Sequence, residues 1–513
     1  LLLPLDDRPP SRVFPQRLAE IAGVELRVAP QNLLGRFLQP GDCRSLADWM
    51  FSEVMDADAV IVSADMLCYG GLVASRVPDV SRREALRQIR MMARLKGINP
   101  DVKVFCSSAI MRLTITSSDA YRQQWAEPIF QFSQESESAI IGHFWLSQPS
   151  SLPPYLVQPY LEARKRNFGI NERLIQEVGR GAIDYLCLTQ EDCAPTGLHR
   201  FEQAALRRSI QRLSLEDRVE IYPGADEAAM TLLARAVMTL SGTSLSFKPV
   251  YWSSSFGDTI PPYEDRPLNL SVAAQFRAAG CSLGSDNLSG LTANGAADET
   301  TPVETDEISL AIWGGEKPDG AGDLTEQFLS WAAALLSRGG RVALVDAARP
   351  NGADDQFMQR LADESPTILA GLSSFAAWNT AGNSLGTAIA HAVCLHYGTR
   401  KGSHRPLAHY RFLFERLVDD WAYQSSVRGE INAELQQRGI FAGSLGAAAE
   451  SVEAEIRQRL LPLATEIFDA QFKGVQSEEG TLAELKRLEV KLPWPRTFEV
   501  ELSALFGVTA AAS

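Results

Sequence analysis

The sequence predicts an α/β protein: a barrel-like (β/α) catalytic domain, elaborated by further α/β segments and a helical C-terminal region. Three observations predict it. Short β-branched runs alternate with amphipathic stretches of helical length, the pattern of βαβ units and a largely parallel sheet. Acidic residues recur where those runs end. From about Lys401 the strand signal fades and helical stretches take over. Tandem Rossmann-like layers are the alternative arrangement of the same elements.

In chain order the strand candidates are Leu1–Leu5, Val24–Val28, Ala59–Ser63, Val102–Cys106, Ile183–Leu188, Val219–Tyr222, Phe247–Trp252, Ile308–Ile312, Val342–Val345 and Leu369–Ser373. Between them Arg82–Leu95, Leu198–Leu213 and Glu227–Leu240 carry apolar residues at helical spacing. Asp286–Thr305 is small, polar and rich in Gly, Ala and Asn, so it reads as a long loop, a lid or a connection. His409–Tyr423, Val427–Gln437 and Ala447–Leu461 read as helices, and Pro493-Trp494-Pro495 as the start of a short closing segment. The expected division is a core over 1–285, a further α/β segment over 286–400 contributing to the same site, and a helical region over 401–513.

Composition narrows the function. The 513 residues are 45% hydrophobic and 22% charged, ordinary for a globular enzyme. A net charge of −14 leaves no basic footprint for nucleic acid. No apolar stretch reaches the ~18–20 residues of a membrane helix. The opening leucines lack a basic flank and run into charges, so they read as a first strand rather than a signal peptide. Seven cysteines without regular spacing argue against a disulfide framework. Cys106, Cys187 and Cys281 lie in or beside apolar runs and read as reduced core residues, so the cytoplasm is the expected compartment. Oligomeric state leaves no signal.

In parallel α/β folds the carboxyl ends of the strands open on one face, where ligands bind. Recurring strand-end acids therefore predict a carboxylate-lined pocket. Leu5 runs into Asp6-Asp7-Arg8-Pro9-Pro10, where the prolines hold the backbone extended and Arg8 is placed to clamp a substrate oxygen or pair with a carboxylate. Ser63 leads to Asp65 and then to Tyr69-Gly70-Gly71 and Arg76; the glycines fit close approach of a ligand or a tight turn. Thr189-Gln190-Glu191-Asp192 is the sharpest candidate, an amide and two carboxylates at a strand end. Adjacent carboxylates push their pKa values apart, which suits acid/base work; a cap for the helix near Leu198 is the competing reading. Asp226-Glu227 adds a second pair, with Asp226 equally well placed as an N-cap. Asp346 ends another strand, and Trp378, Asn379 and Asn383 offer a sugar ring an aromatic face and edge hydrogen bonds.

Other motifs are missing. No phosphate loop, dinucleotide fingerprint, His-Glu-x-x-His or Cys-x-x-Cys occurs. Gly382-x-Ser384-x-Gly386 matches a nucleophile elbow formally, but every later histidine precedes Asp419 and Asp420, against the usual order. With six histidines a His-rich metal site is not expected, and His143 and His199 read as satisfied structural residues. A carboxylate-bound Mg²⁺ or Mn²⁺ needs only oxygen ligands and stays open.

Pro4-Leu5-Asp6-Asp7-Arg8-Pro9, Ser63-Ala64-Asp65-Met66-Leu67, Tyr69-Gly70-Gly71-Leu72, Ser75-Arg76, Gln190-Glu191-Asp192, Gly224-Ala225-Asp226-Glu227, Asn351-Gly352-Ala353-Asp354 and Trp378–Asn383 together resemble bacterial domain-of-unknown-function family 4127. The resemblance spans the start of the chain to about residue 400. The family's third motif usually runs Gln-Asp-Asp, so Glu191 departs by one methylene. By strand count, omitting Val24–Val28, Gln190-Glu191-Asp192 ends the fourth strand. Barrel N-acetylhexosaminidases also carry an acidic pair there, one residue orienting the acetamido group and the other acting as acid/base, a fold-level analogy.

These readings lead to an expected glycoside hydrolase acting on a small glycoside, with an N-acetylamino sugar as one option. Asp192 is the expected acid/base and Glu191 the orienting carboxylate. Asp6, Asp7, Arg8, Asp65, Arg76, Gln190, Asp226, Glu227, Asp346, Trp378, Asn379 and Asn383 are expected to bind substrate. A Mg²⁺- or Mn²⁺-dependent hydrolase or lyase, and a non-catalytic carbohydrate-binding protein, are the alternatives.

Overall fold

A computed structural model describes residues 1–136, 151–252, 256–284, 291–292, 306–315 and 323–510. The expected loop Asp286–Thr305 lies outside them except for 291–292, as does His143. The chain divides into two compact units, described separately. The first comprises Leu1–Pro15, Leu26–Ala236 and Tyr263–Asp265; the second comprises Gln16–Glu25, Val237–Pro262 and Arg266–Ser513.

The first unit is built on five parallel strands: β1 (Leu2–Leu3), β2 (Ala59–Ser63), β3 (Lys103–Ile110), β4 (Tyr185–Gln190) and β5 (Val219–Pro223). They lie side by side in sequence order, paired in register from Leu2 with Ile61 to Leu186 with Val219. β4 and β5 are buried along their whole length, as parallel strands covered on both faces must be. Val60, Val62, Val104, Cys106, Leu186 and Leu188 belong to one apolar core. Helix Arg82–Ile98 opens with a reciprocal Ser81–Glu84 capping box and buries Ala85, Ile89, Met92 and Leu95. β1 is shorter than expected because Pro4 has no N–H for a ladder. Val24–Val28 contributes a single bridge, Val28 to Leu2.

In the second unit the strands are β6 (Ser246–Tyr251), β7 (Ser282–Leu283), β8 (Leu291–Thr292), β9 (Glu307–Trp313), β10 (Val342–Asp346) and β11 (Ser374–Ala376). They run in the order β11-β10-β9-β6-β7, all parallel, with β8 also pairing β6. Counting β7 and β8 as one edge, the chain visits the sheet as 2-1-3-4-5, the order of doubly wound folds. The fold is thus mixed α/β with two parallel sheets. Among the described residues no pairing joins β1 to β5 or closes the second sheet.

Two expectations need correction. Leu369–Ser373 is turn rather than strand; the strand starts at Ser374. The C-terminal region is helical through Pro406–Arg416, a π-helical run Leu417–Val427, Arg428–Gln437 and Ala449–Ile467, but strands follow. β12 (Gln476–Ser477), β13 (Gly480–Lys491) and β14 (Glu501–Thr509) form an antiparallel sheet, and Pro493-Trp494-Pro495 lies between its two long strands. Register shifts at Leu482/Glu484 and Leu485/Arg487 break the two-residue alternation in a Leu-, Glu- and Lys-rich run, which hid this hairpin.

Candidate active site

Five loops leave the carboxyl ends of β1–β5, and a row of carboxylate–arginine pairs occupies them. Asp6 follows β1. The Arg8 backbone N–H donates to Asp6 Oδ1 at 3.1 Å, and its Nε and Nη2 donate to Oδ2 at 2.9 and 2.7 Å. Nη2 and Nη1 also donate to Asp226, at 2.6 Å to Oδ1 and 3.3 Å to Oδ2. All three side chains are buried. β1 and β5 are the edges of the sheet, and four strand spacings separate flat edges by roughly 19 Å. The guanidinium therefore ties together loops from opposite edges. Asp7 is anchored by its backbone: its N–H donates to the Gly35 carbonyl at 3.3 Å.

Asp65, after β2, is buried and accepts the Ala109 N–H at 2.9 Å. Burial, helped by the nearby charge of Glu191 and opposed by the Ala109 bond, leaves its carboxyl pushed up to about 7. Gly70 (φ +87°) closes helix Ala64–Tyr69 and its carbonyl accepts the Gly41 N–H at 2.8 Å. A Cβ on Gly35 would lie 1.9 Å from the Gly70 carbonyl oxygen, so backbone packing accounts for the glycine here. Arg76 donates to Thr116 Oγ1 at 2.9 Å and to Glu191 Oε1. Arg166, stacked over the Tyr69 ring, bonds the Ser75, Val77 and Val80 carbonyls and so fixes the segment carrying Arg76.

Two residues beyond β3 stands Arg112, which the sequence reading did not single out. Its Nη2 lies 2.5 Å from Asp192 Oδ2 and its Nη1 3.9 Å from Glu191 Oε1. Gln190 is locked: it donates to the Glu191 and Ile110 carbonyls at 2.9 and 3.3 Å and accepts from Gln203 at 3.1 Å. Glu191 is buried with Oε2 making no hydrogen bond among the described residues, whereas the Asp192 side chain is 29% exposed. After β5, Glu227 folds back so that Oε2 accepts the Ala225 N–H at 2.9 Å. A Cβ on Gly224 (φ +133°) would meet Glu227 Oε1 at 2.1 Å. Asp226, expected to serve as a cap or a ligand, pairs with Arg8, and Glu227 takes the loop N–H.

The remaining candidates lie in the second unit. Asp346 accepts the Ala348 and Asp354 N–H groups at 3.1 and 2.5 Å and organises its own loop; burial pushes its carboxyl up to about 7. The Asn379 carbonyl accepts the Asn351 N–H at 2.9 Å, joining the loops after β10 and β11. Asn383 donates to Thr380, the N-cap of helix Ala381–Lys401. Trp378 is buried. Ser384 sits in the first turn of that helix and donates to the Trp378 carbonyl at 3.0 Å, an engaged helical serine rather than an elbow nucleophile.

Two further features escaped the sequence reading. A cavity of about 390 Å³ in the second unit is lined by Arg341, His396, His404, His409 and Tyr410 among others. Burial lowers His396 and His409 to about 4, so both rings are neutral near pH 7. In the first unit Cys193, His199 and Asp265 bring a sulfur, a ring nitrogen and a carboxylate oxygen within 4.8 Å of one another, all buried. His199 is not a fully satisfied core histidine: its ring faces the Ala194 carbonyl, but neither nitrogen makes a hydrogen bond of good geometry among the described residues.

The fold and this site define an α/β protein with two parallel sheets whose first unit carries arginine-paired carboxylates at its strand ends. A family model described as "Protein of unknown function (DUF4127)" matches residues 1–503, and the chain belongs to that family. The match takes in the C-terminal helices and most of the antiparallel sheet. No curated protein matches the chain.

Proposed function

We propose that the protein is a glycoside hydrolase acting on a small glycoside, with N-acetylamino sugars the first class to test, and that the first unit is the barrel-like catalytic part. The observation that carries the reading is the grouping of Asp65, Glu191 and Asp192 with Arg76 and Arg112 at the ends of three adjacent strands. The three acids have unlike surroundings. Asp192 is accessible to a substrate, as an acid/base must be, and Arg112 fixes its position. Glu191 is buried and gripped by Arg76, which suits an orienting carboxylate. Asp65 is held near 7 behind Glu191. Environments that separate neighbouring carboxylates in this way are how acid and base roles are divided.

Asp6 and Asp226 act in this reading by shaping the rim through Arg8 rather than by touching the sugar. The strand order of the first sheet supports a barrel wall, because sequential parallel strands with right-handed crossovers send their helices to one face. Seven free thiols suit a cytoplasmic setting. A Mg²⁺ or Mn²⁺ ion is less favoured at the same carboxylates, since arginines already balance their charge. Hydrolysis of a panel of small glycosides, before and after dialysis against a chelator, tests the reading. Release that survives dialysis supports it; binding without product would point to a carbohydrate-binding protein.

A further inference from the structure

We propose that Cys193, His199 and Asp265 hold a transition-metal ion of the zinc class, which staples the β4 loop to the Tyr263–Asp265 segment. The three donors come from separate stretches: the loop after β4, the first turn of helix Leu198–Arg212, and a segment that joins the first unit from 70 residues downstream. Their ligating atoms all lie within 4.8 Å of one another, close enough for a small contraction to bring them onto one ion. Sulfur, imidazole and carboxylate together are a zinc-type donor set; a hard cation such as Mg²⁺ prefers oxygen alone.

The second observation is His199 itself. The ring is buried completely and faces the Ala194 carbonyl, with which neither Nδ1 nor Nε2 makes a hydrogen bond of good geometry among the described residues. The Asp265 carboxylate lies 3.7 Å from Nε2, too far for a hydrogen bond. A buried imidazole nitrogen left without a well-formed hydrogen bond is destabilising. A metal on one nitrogen removes much of that cost.

The surroundings are those of a supported site. Gln203 donates to Asp265 Oδ2 at 2.6 Å and Arg200 does so at 3.3 Å, fixing the carboxylate in the way outer partners orient metal ligands. The Cys193 N–H donates to the Tyr263 carbonyl at 3.0 Å, and its thiol donates to the same oxygen at 3.4 Å. Tyr263 takes φ +65°, a strained value for an aromatic residue, and this turn presents that carbonyl to Cys193. Three protein donors leave one tetrahedral position to water or to main-chain oxygen. Cys193 directly follows Asp192, so the staple would also set the position of the proposed acid/base.

The test is metal loading of the intact chain, read without any activity assay. The protein is stripped with a chelator, then titrated with Zn²⁺ and, separately, with Co²⁺ while the absorption spectrum is followed. The expected result is one ion per chain, with a thiolate-to-cobalt charge-transfer band in the near ultraviolet. Cys193→Ser should abolish that band and His199→Ala should weaken binding about 100-fold or more, since even outer-shell changes cost 10–100-fold. Cys43→Ser should leave both unchanged. Should either binding variant misfold by circular dichroism, the wild-type spectrum decides alone. No thiolate band, binding well below one ion per chain, or unaltered binding in folded Cys193→Ser would overturn the proposal.

Discussion

Arg8 and Asp226, 218 residues apart, meet through Nη2 and Oδ1 at 2.6 Å, and the same guanidinium grips Asp6 from its other edge. The two carboxylates come from opposite edges of a five-stranded sheet, so this one side chain fixes the mouth over the central strands. Three charges are buried with each other and with little water. Such a pairing gives specificity of shape more than net stability, and its weakness appears when one member is removed.

Replacing Arg8 with Met keeps the length and apolar stem but leaves Asp6 and Asp226 buried together. The expected cost is on the order of 3–5 kcal/mol, because uncompensated buried charge is what makes broken pairs expensive. Chemical denaturation at pH 7 measures it. The double variant Arg8→Met with Asp226→Asn should recover part of the loss.

Asp65 makes stability depend on pH. Its folded-state pKa, about 7, lies above the ordinary carboxylate value of 3.8, so the folded chain binds the extra proton between those limits. Its contribution is then fully present below about pH 4 and is lost as pH rises through 7. Asp65→Asn keeps an acceptor for the Ala109 N–H without the charge. The variant should be more stable than wild type at pH 8, by up to roughly 4 kcal/mol at three pKa units, with the gap closing toward pH 4. Thermal melts across that range check the sign.

Gly224 is confined by both conformation and space. A methyl group there meets Glu227 Oε1 at 2.1 Å on a backbone at φ +133°. Gly224→Ala should destabilise by about 2 kcal/mol or more and displace the Glu227 carboxylate from the Ala225 N–H. Glu227→Gln retains an acceptor and should cost much less in the same denaturation assay.

Much of this is legible in the sequence. β2 spans Ala59–Ser63 as expected because an unbroken apolar run is bounded by Asp58 and by the Ser63 cap of the next helix. The strand-end acids of the first unit do lie at that sheet's carboxyl edge, as parallel topology requires, whereas Asp346 ends a strand of the second sheet. Their partners were not legible. Arg112 in Ile110-Met111-Arg112 carries no local pattern that separates it from a solvated loop arginine, and only the β3–β4 pairing sets it beside Asp192. His199 passed for a satisfied core residue because Asp265 reaches it by a long-range contact. β13 was hidden because its bulges erase the alternation that betrays a strand.

The central claim is that Asp192 works on a glycoside at the carboxyl end of β4. The most direct measurement is sugar release from a panel of small glycosides, N-acetylamino sugars included, by wild type and Asp192→Asn side by side, with folding of both checked by circular dichroism. Wild type is expected to release sugar and the variant to lose about 100-fold or more, the usual range for a removed general acid or base. Release by Asp192→Asn at the wild-type rate, or none by wild type across the panel, would contradict it.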